Sequence, residues 1–215
     1  MLKFAAILFD LDGTLVDSEK LWLQAEIDLI ESCGKQYDPI THAQLRGVSA
    51  ERTAELIRTL YGVTLEADQI LAMVQGHVKT LLKTQAKMKP GAEELLAYVG
   101  EIGVPAAIVS NSSRDIVAAT LENRAWASVF QAIFPREAAQ NAKPAPDLYL
   151  HAAQQLGVDP RDCLIVEDSL TGVTAAVASG ATCYAVPEDH HHSEIRSITP
   201  HVFDSLVDVF EHIRS

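Results

Sequence analysis

The sequence predicts an α/β protein: a doubly wound, mostly parallel sheet with a small all-helical domain inserted after its first strand. Three observations carry this expectation. Short, near-continuously apolar runs recur at residues 4–9, 104–109, 132–134, 163–166 and 182–186. From residue 88 onward, helical patterns alternate with these runs. Residues 16–87, by contrast, carry helical patterns and no strand-like run at all.

A run that is apolar at successive positions, rather than at every second one, marks a strand covered on both faces by helices. The first such run is "AAILF", residues 5–9, and it ends abruptly on Asp10. Next come "EKLWLQAEIDLIESCG", "SAERTAELIRTLYG" and "EADQILAMVQGHVKTLLKTQAK", three amphipathic segments too long together for one crossover between strands. They predict a helical cap over residues 16–87, inserted into a core made of residues 1–15 and 88–215. Its two ends, 15–17 and 87–90, are then adjacent linkers suited to act as hinges. The core resumes with "PGAEELLAYVGEIG", which opens on Pro90 and closes on Gly103, a matched pair of helix start and stop signals. "SSRDIVAATLENRA", "APDLYLHAAQQLG" and "SLTGVTAAVASG" behave alike. Helix and strand alternate to the fifth apolar run, the order of a Rossmann-like core.

Composition narrows the class. Of 215 residues, 48% are hydrophobic, enough for a real core. Lys plus Arg number 17 against 29 Asp plus Glu, so the net charge is −12. With no basic run, non-specific binding to nucleic acid or to an anionic membrane is excluded as the main task. Cys33, Cys163 and Cys183 lack a C-x-x-C spacing, and the latter two sit in apolar runs. They read as reduced core thiols of a cytoplasmic protein. No signal peptide is expected, because Asp10 interrupts the first apolar run, and no run approaches the ~18 apolar residues of a membrane span. The expected state is a monomer or weak homo-oligomer.

In open parallel sheets, ligands bind beyond the carboxyl ends of the strands. The first run delivers Asp10 and Asp12, the second Ser110 and Asn111, and the fourth Glu167 and Asp168; "NAKPAPD" places Lys143 at the start of a helix. Carboxylates at i and i+2 on an extended chain point the same way and repel. Four acids against one lysine call for an oxygen-loving divalent cation, and Mg²⁺ suits the set. A carboxylate could then attack phosphorus, with Lys143 and Ser110 holding phosphoryl oxygens.

"DLDGTL", a strand-ending Ser, a downstream Lys-Pro and a terminal acid pair, in this order, resemble the four motifs of the haloacid dehalogenase-like superfamily. The helical insert after the first motif resembles its phosphatases and β-phosphoglucomutases. The resemblance implies that Asp10 is the nucleophile that becomes an aspartyl phosphate and that Asp12 is the general acid and base. It implies a Mg²⁺ site of the Asp10 carboxylate, the Asp12 backbone carbonyl and Asp168, with Glu167 nearby through water. Gly13 and Thr14 would form the turn into the insert, and backbone N–H groups there and at Asn111 would bind phosphate oxygens. Expected around the substrate, a small phosphate ester such as a sugar phosphate, are Glu19, Trp22, Arg46, Ser49 and Arg52 from a lid-like cap. Ser112, Ser113 and Arg114 would approach from the core.

Singly, each residue has a plainer explanation: Asp12-Gly13 a turn, Ser110 and Ser112 caps, Lys143 a solvated charge. Their joint placement after successive strands is what those explanations do not produce. His190-His191-His192 is different: three consecutive imidazoles do not converge on one ion, and a solvated loop is expected. Among related activities, a dehalogenase needs neither Asp12 nor the Glu167-Asp168 pair. A β-phosphoglucomutase-like mutase, the alternative, carries a His where Trp22 stands and an Arg where Ala50 stands. A receiver-type signalling module lacks the insert and carries its acid pair before the phospho-accepting Asp. A Mg²⁺-dependent phosphatase is the expected function.

Overall fold

The computed structural model describes residues 4–45, 48–187 and 192–215. Arg46, His190 and His191 lie outside the described residues; His192 opens a helix. The chain divides into two compact units, Met1–Asp17 with Lys87–Ser215, and Ser18–Ala86.

The first unit is built on a five-stranded parallel sheet. Its strands are β1 (Ala6–Phe9), β2 (Ala106–Val109), β3 (Ala132–Phe134), β4 (Cys163–Glu167) and β5 (Thr182–Ala185), in the order β3-β2-β1-β4-β5. Each lies at an apolar run of the sequence, shortened or extended by at most two residues at either end. The central strand β1 pairs Ile7 with Ala106 on one side and with Leu164 on the other. After β3 the chain returns past β1 to lay down β4, so the strand order reverses beside β1. Such a reversal parts the connections above the carboxyl ends and opens a crevice there.

The second unit carries α1 (Glu19–Ser32), α2 (Pro39–His42), α3 (Ala50–Tyr61) and α4 (Ala67–Gln85). Helix α4 packs against α1 and α3. Its buried stripe Ile70, Val74, Val78 and Leu82 recurs at three- and four-residue steps, as a core-facing helix requires. The starts of α2, α3 and α4 are capped by side chains: Asp38 accepts from the Thr41 N–H, Ser49 from the Arg52 N–H, and Glu66 and Gln69 form a reciprocal capping box. Within this unit Glu26 and His42 form a mostly buried pair at 2.7 Å.

Around the sheet lie α5 (Ala92–Ile102), α6 (Arg114–Leu121), α7 (Asp147–Leu156), α8 (Leu170–Ala178), α9 (His192–Ile198) and α10 (Leu206–Arg214). Ala6 and Leu8 of β1 belong to one buried cluster with Leu148, Tyr149, Ala152 and Ala153 of α7 and Val173, Ala175 and Ala176 of α8. Ile7 and Phe9, which alternate to the other face, are equally buried, and Phe9 meets the Phe130 ring edge-on at 5.9 Å. Both Cys163 and Cys183 are buried free thiols. No described helix is long and apolar enough to cross a membrane.

Two further features follow: the first brings together the segments 15–17 and 87–90 that the sequence reads as adjacent linkers, and the second has no counterpart in that reading. The segments that leave and re-enter this unit lie side by side, joined by Asp17 N–H to the Lys87 carbonyl (2.9 Å) and Lys89 N–H to the Leu15 carbonyl (2.9 Å). Beyond β5, residues 201–203 pair along its end through Ala185 to His201 (2.9 Å) and Phe203 to Ala185 (2.8 Å), which satisfies part of an exposed edge. Helix α10 follows and packs on α5, where Tyr98 and Phe210 stack edge-on at 5.7 Å.

That docking depends on Gly91. It sits at φ +84°, and a Cβ there would overlap the backbone N of Val207. Gly91→Ala should therefore destabilise the protein by about 2–4 kcal/mol, combining a strained backbone with overpacking. Urea unfolding is the measurement, and an unchanged midpoint would contradict this packing of α10.

Candidate active site

The site forms where β1, β2 and β4 end. Asp10 leaves β1 with its N–H still bonded to the Val166 carbonyl at 3.0 Å, so the strand pairing itself fixes where the carboxyl group starts. The chain then closes a tight loop: the Leu15 and Val16 N–H groups both donate to the Leu11 carbonyl at 3.0 Å, and Gly13 N–H donates to Val16 at 2.8 Å. Gly13 has φ +87°, and a Cβ there would overlap the Asp168 carboxylate. Only glycine lets this loop lie against that acid. Thr14 then donates its hydroxyl to Asp168 Oδ1 at 2.7 Å.

Lys143 lies at the centre, almost wholly buried. Its ammonium donates to Asp10 Oδ1 (2.7 Å), to the Val109 carbonyl at the end of β2 (2.8 Å) and to Glu167 Oε1 (2.6 Å), which uses all three of its hydrogens. The Lys143 backbone is held too: its N–H donates to Asn111 Oδ1 at 3.0 Å, and Asn111 Nδ2 donates to its carbonyl at 3.2 Å. Asn111, expected to serve a phosphate through its backbone, spends its side chain on positioning this lysine.

Glu167 is fully buried, and protein donors engage both its oxygens. Oε1 accepts from Lys143 and from the Tyr149 hydroxyl (2.8 Å); Oε2 accepts from the Asp168 and Ser169 N–H groups and the Ser169 hydroxyl. The Lys143 ammonium also lies 4.8 Å from the Tyr149 ring centroid, within cation–π range. Space for the Glu167 carboxylate comes from Gly172 on α8, where any Cβ would overlap it.

Asp12 stands beside this cluster. Its Oδ2 accepts from Ser112 Oγ at 2.7 Å and from Ser110 Oγ at 3.4 Å, while Oδ1 is buried with no partner among the described residues. Ser112, expected against substrate, thus donates its hydroxyl proton to Asp12. Arg114 opens α6, where its N–H donates to both oxygens of Glu137 (3.2 and 3.0 Å). Glu19 and Trp22 lie on α1, Ser49 caps α3 and Arg52 lies on α3 of the second unit, where Arg52 pairs with Glu55 at 2.7 Å.

The electrostatics follow from burial. Burial pushes the Asp10 carboxyl up to about 8, with Lys143 opposing and Glu167 and Asp12 adding to the rise. Asp168 is raised well above the carboxylate range by burial, then by Asp10 and Glu167. Burial also works against the Lys143 ammonium, but Asp10 and Glu167 together outweigh it and raise its pKa. One ammonium among these acids leaves excess negative charge. Asp10, Glu167 and Asp168 each present an oxygen, all within 4.8 Å of one another. An all-oxygen, net-negative set of this kind fits a hard divalent cation. The bonds to Lys143 and Thr14 occupy only Oδ1 of Asp10 and Oδ1 of Asp168, so those two acids are better placed than Glu167 to hold one.

Sequence reasoning did not find Tyr149 or Gly172. Tyr149 sits in an apolar helix face and reads as core. Gly172 did leave a signal, an isolated glycine inside a helical pattern, which often marks a close approach.

A family model described as haloacid dehalogenase-like hydrolase matches residues 7–186. The chain is 32% identical over 213 residues to a probable pseudouridine-5'-phosphatase of Drosophila melanogaster, spanning 96% of this chain and 91% of that protein. It is 30% identical over 209 residues to a bifunctional riboflavin kinase/FMN phosphatase of Arabidopsis thaliana, spanning 95% of this chain and 54% of that longer protein. The solved structure of CbbY from Rhodobacter sphaeroides in complex with phosphate matches with a TM-score of 0.81 at 25% identity, covering 97% of this chain and 96% of that one.

Two substitutions test the packing around Glu167. On an open helix, Gly→Ala stabilises by up to ~1 kcal/mol; Gly172→Ala should instead destabilise by about 2 kcal/mol or more, because the carboxylate is displaced. Tyr149→Phe should cost about 1–3 kcal/mol by leaving Glu167 one donor short. Chemical denaturation reads both, and a stabilising Gly172→Ala would contradict the geometry.

Proposed function

The chain belongs to the haloacid dehalogenase-like hydrolases, and from that premise we propose that it is a Mg²⁺-dependent phosphatase of a small phosphate ester, a sugar phosphate or similar metabolite. The observation that carries the reading is the buried array of Asp10, Lys143 and Asp168 with Asp12 two residues beyond Asp10. Relatives named as phosphatases of pseudouridine 5'-phosphate and FMN support the reaction class.

In this mechanism Asp10 is the nucleophile. Its carboxylate oxygen attacks phosphorus, the bond from phosphorus to the leaving oxygen breaks, and an aspartyl phosphate forms on Asp10. Asp12 gives its proton to the leaving oxygen, which departs as an alcohol. Water then attacks the phosphoryl group and passes a proton to Asp12; inorganic phosphate leaves and Asp10 is restored. Lys143, held rigidly by Glu167, keeps Asp10 oriented and offsets charge on the phosphoryl oxygens. Ser110, at the end of β2, and the N–H groups of Thr14 and Asn111 complete the phosphate cradle, the Gly13 N–H being already bonded to the Val16 carbonyl.

Mg²⁺ would be held by the Asp10 and Asp168 carboxylates and the Asp12 carbonyl, with Glu167 behind them, and when bound it supplies neutralisation of the charge that keeps an anionic nucleophile from an anionic substrate. Thr14 and Gly13 fix the Asp168 side chain for that task. Three free cysteines, two of them buried, suit a reducing cytoplasm.

The test is release of p-nitrophenol from p-nitrophenyl phosphate. Activity should require Mg²⁺, vanish with EDTA and return when Mg²⁺ is restored in excess. Asp10→Asn should lower kcat by a factor on the order of 10³ or more. Full activity in Asp10→Asn would overturn the mechanism. A screen of phosphate esters ranked by kcat/KM then names the substrate, and conversion of β-glucose 1-phosphate to glucose 6-phosphate in place of free phosphate would replace the phosphatase by a mutase.

A further inference from the structure

We propose that Ser112 is a positioning residue that aligns Asp12 for proton transfer, holding Oδ2 so that Oδ1 is the oxygen that gives and takes the proton. The proposal rests on the phosphatase reading and concerns a residue two positions beyond the strand-ending Ser110.

Four observations converge on it. The Ser112 hydroxyl donates to Asp12 Oδ2 at 2.7 Å, the short distance of a charge-assisted bond. The Ser112 N–H donates to Ser110 Oγ at 2.9 Å, and Ser110 Oγ lies 3.4 Å from the same Oδ2. One carboxylate oxygen therefore faces both hydroxyls. The other, Oδ1, is buried without any partner among the described residues. An orphaned buried acceptor is costly and is tolerated where a partner arrives during function. The partner that fits is the leaving oxygen of the ester, and afterwards the attacking water.

Among the described residues the hydroxyl makes no other hydrogen bond that would give it a structural duty. The N-cap of α6 is Ser113, not Ser112, and the Arg114 N–H finds its acceptor in Glu137. The loop is secured by its backbone, with Arg136 N–H donating to the Ser112 carbonyl at 3.0 Å. Removing the hydroxyl should thus leave the fold intact and free the Asp12 side chain to rotate.

With Oδ2 held by the two serine hydroxyls, Oδ1 is the oxygen left to give and take the proton. In the first half-reaction Asp12 Oδ1 loses this proton to the leaving oxygen as the bond between Asp10 and phosphorus forms. In the second it regains a proton from water as that bond breaks. Ester and water become alcohol and phosphate, with Asp10, Asp12 and Ser112 unchanged.

A series of phosphate monoesters with increasingly poor leaving groups tests this, from p-nitrophenyl through phenyl to alkyl phosphates, in Mg²⁺. The parameter kcat/KM reports the first phosphoryl transfer, in which a poor leaving group needs the acid most. Ser112→Ala should lose less than about 3-fold on p-nitrophenyl phosphate and about 10- to 100-fold on the alkyl ester, with an unchanged melting temperature. Ser112→Thr, which keeps the donor, should recover most of the loss. An equal loss across the series would overturn the proposal in favour of a substrate contact or a general structural role, and so would no loss on alkyl esters. If the parent protein hydrolyses no ester of the series, the phosphatase reading itself fails. An active parent with a flat Ser112→Ala profile sinks only the role of Ser112.

Discussion

The rest of the core is arranged around one buried ammonium. Lys143 bridges three strand ends, touching Asp10 after β1, the Val109 carbonyl on β2 and Glu167 on β4. A lysine taken from water is costly unless every hydrogen finds an acceptor and its charge is matched. Both conditions are met here, and meeting them imposes constraints outward. Glu167 must be turned inward, so α8 needs Gly172 beneath it. Its oxygens need donors, so Tyr149 of α7 and the first turn of α8 supply them. Asn111 braces the lysine backbone from the loop after β2.

The same arrangement sorts the four acids into distinct duties. Glu167, saturated by protein donors, serves as the anchor of the lysine. Asp10 and Asp168, each with one oxygen engaged, carry the excess charge that a divalent cation would balance. Asp12 presents Oδ2 to two serine hydroxyls, which gives it a different environment from Asp10. Two carboxylates with different surroundings can serve as nucleophile and as proton carrier. Here the difference comes from which hydroxyls and amines lie nearby, since the two side chains start only two residues apart.

Much of the fold was legible because it depends on local pattern. Short runs apolar on successive residues read as doubly covered strands, and all five apolar runs match strands to within two residues at either end. Reading the residue just beyond each run found Asp10, Ser110, Glu167 and Asp168, since parallel strands deliver their ends to one edge. Helix α10 and the short segment beside β5 were missed because their stability comes from docking on α5 and on a sheet edge rather than from a strong pattern of their own. Tyr149 was missed for a related reason: its ring belongs to the apolar cluster, and only its hydroxyl reaches the site.

The sequence by itself determined which residue types stand at the strand ends, because periodicity and turn signals are local properties of the chain. It also determined the acidic excess that calls for a cation, which is simple charge counting. Only the tertiary structure decided how those residues divide their bonds: that Glu167 holds Lys143, that Asn111 braces it, and that Ser112 turns to Asp12. Such choices depend on hydrogen-bond geometry across partners up to 100 positions apart. Directional bonds of about 3 Å are set by packing between elements, and that packing exists only once the chain has folded.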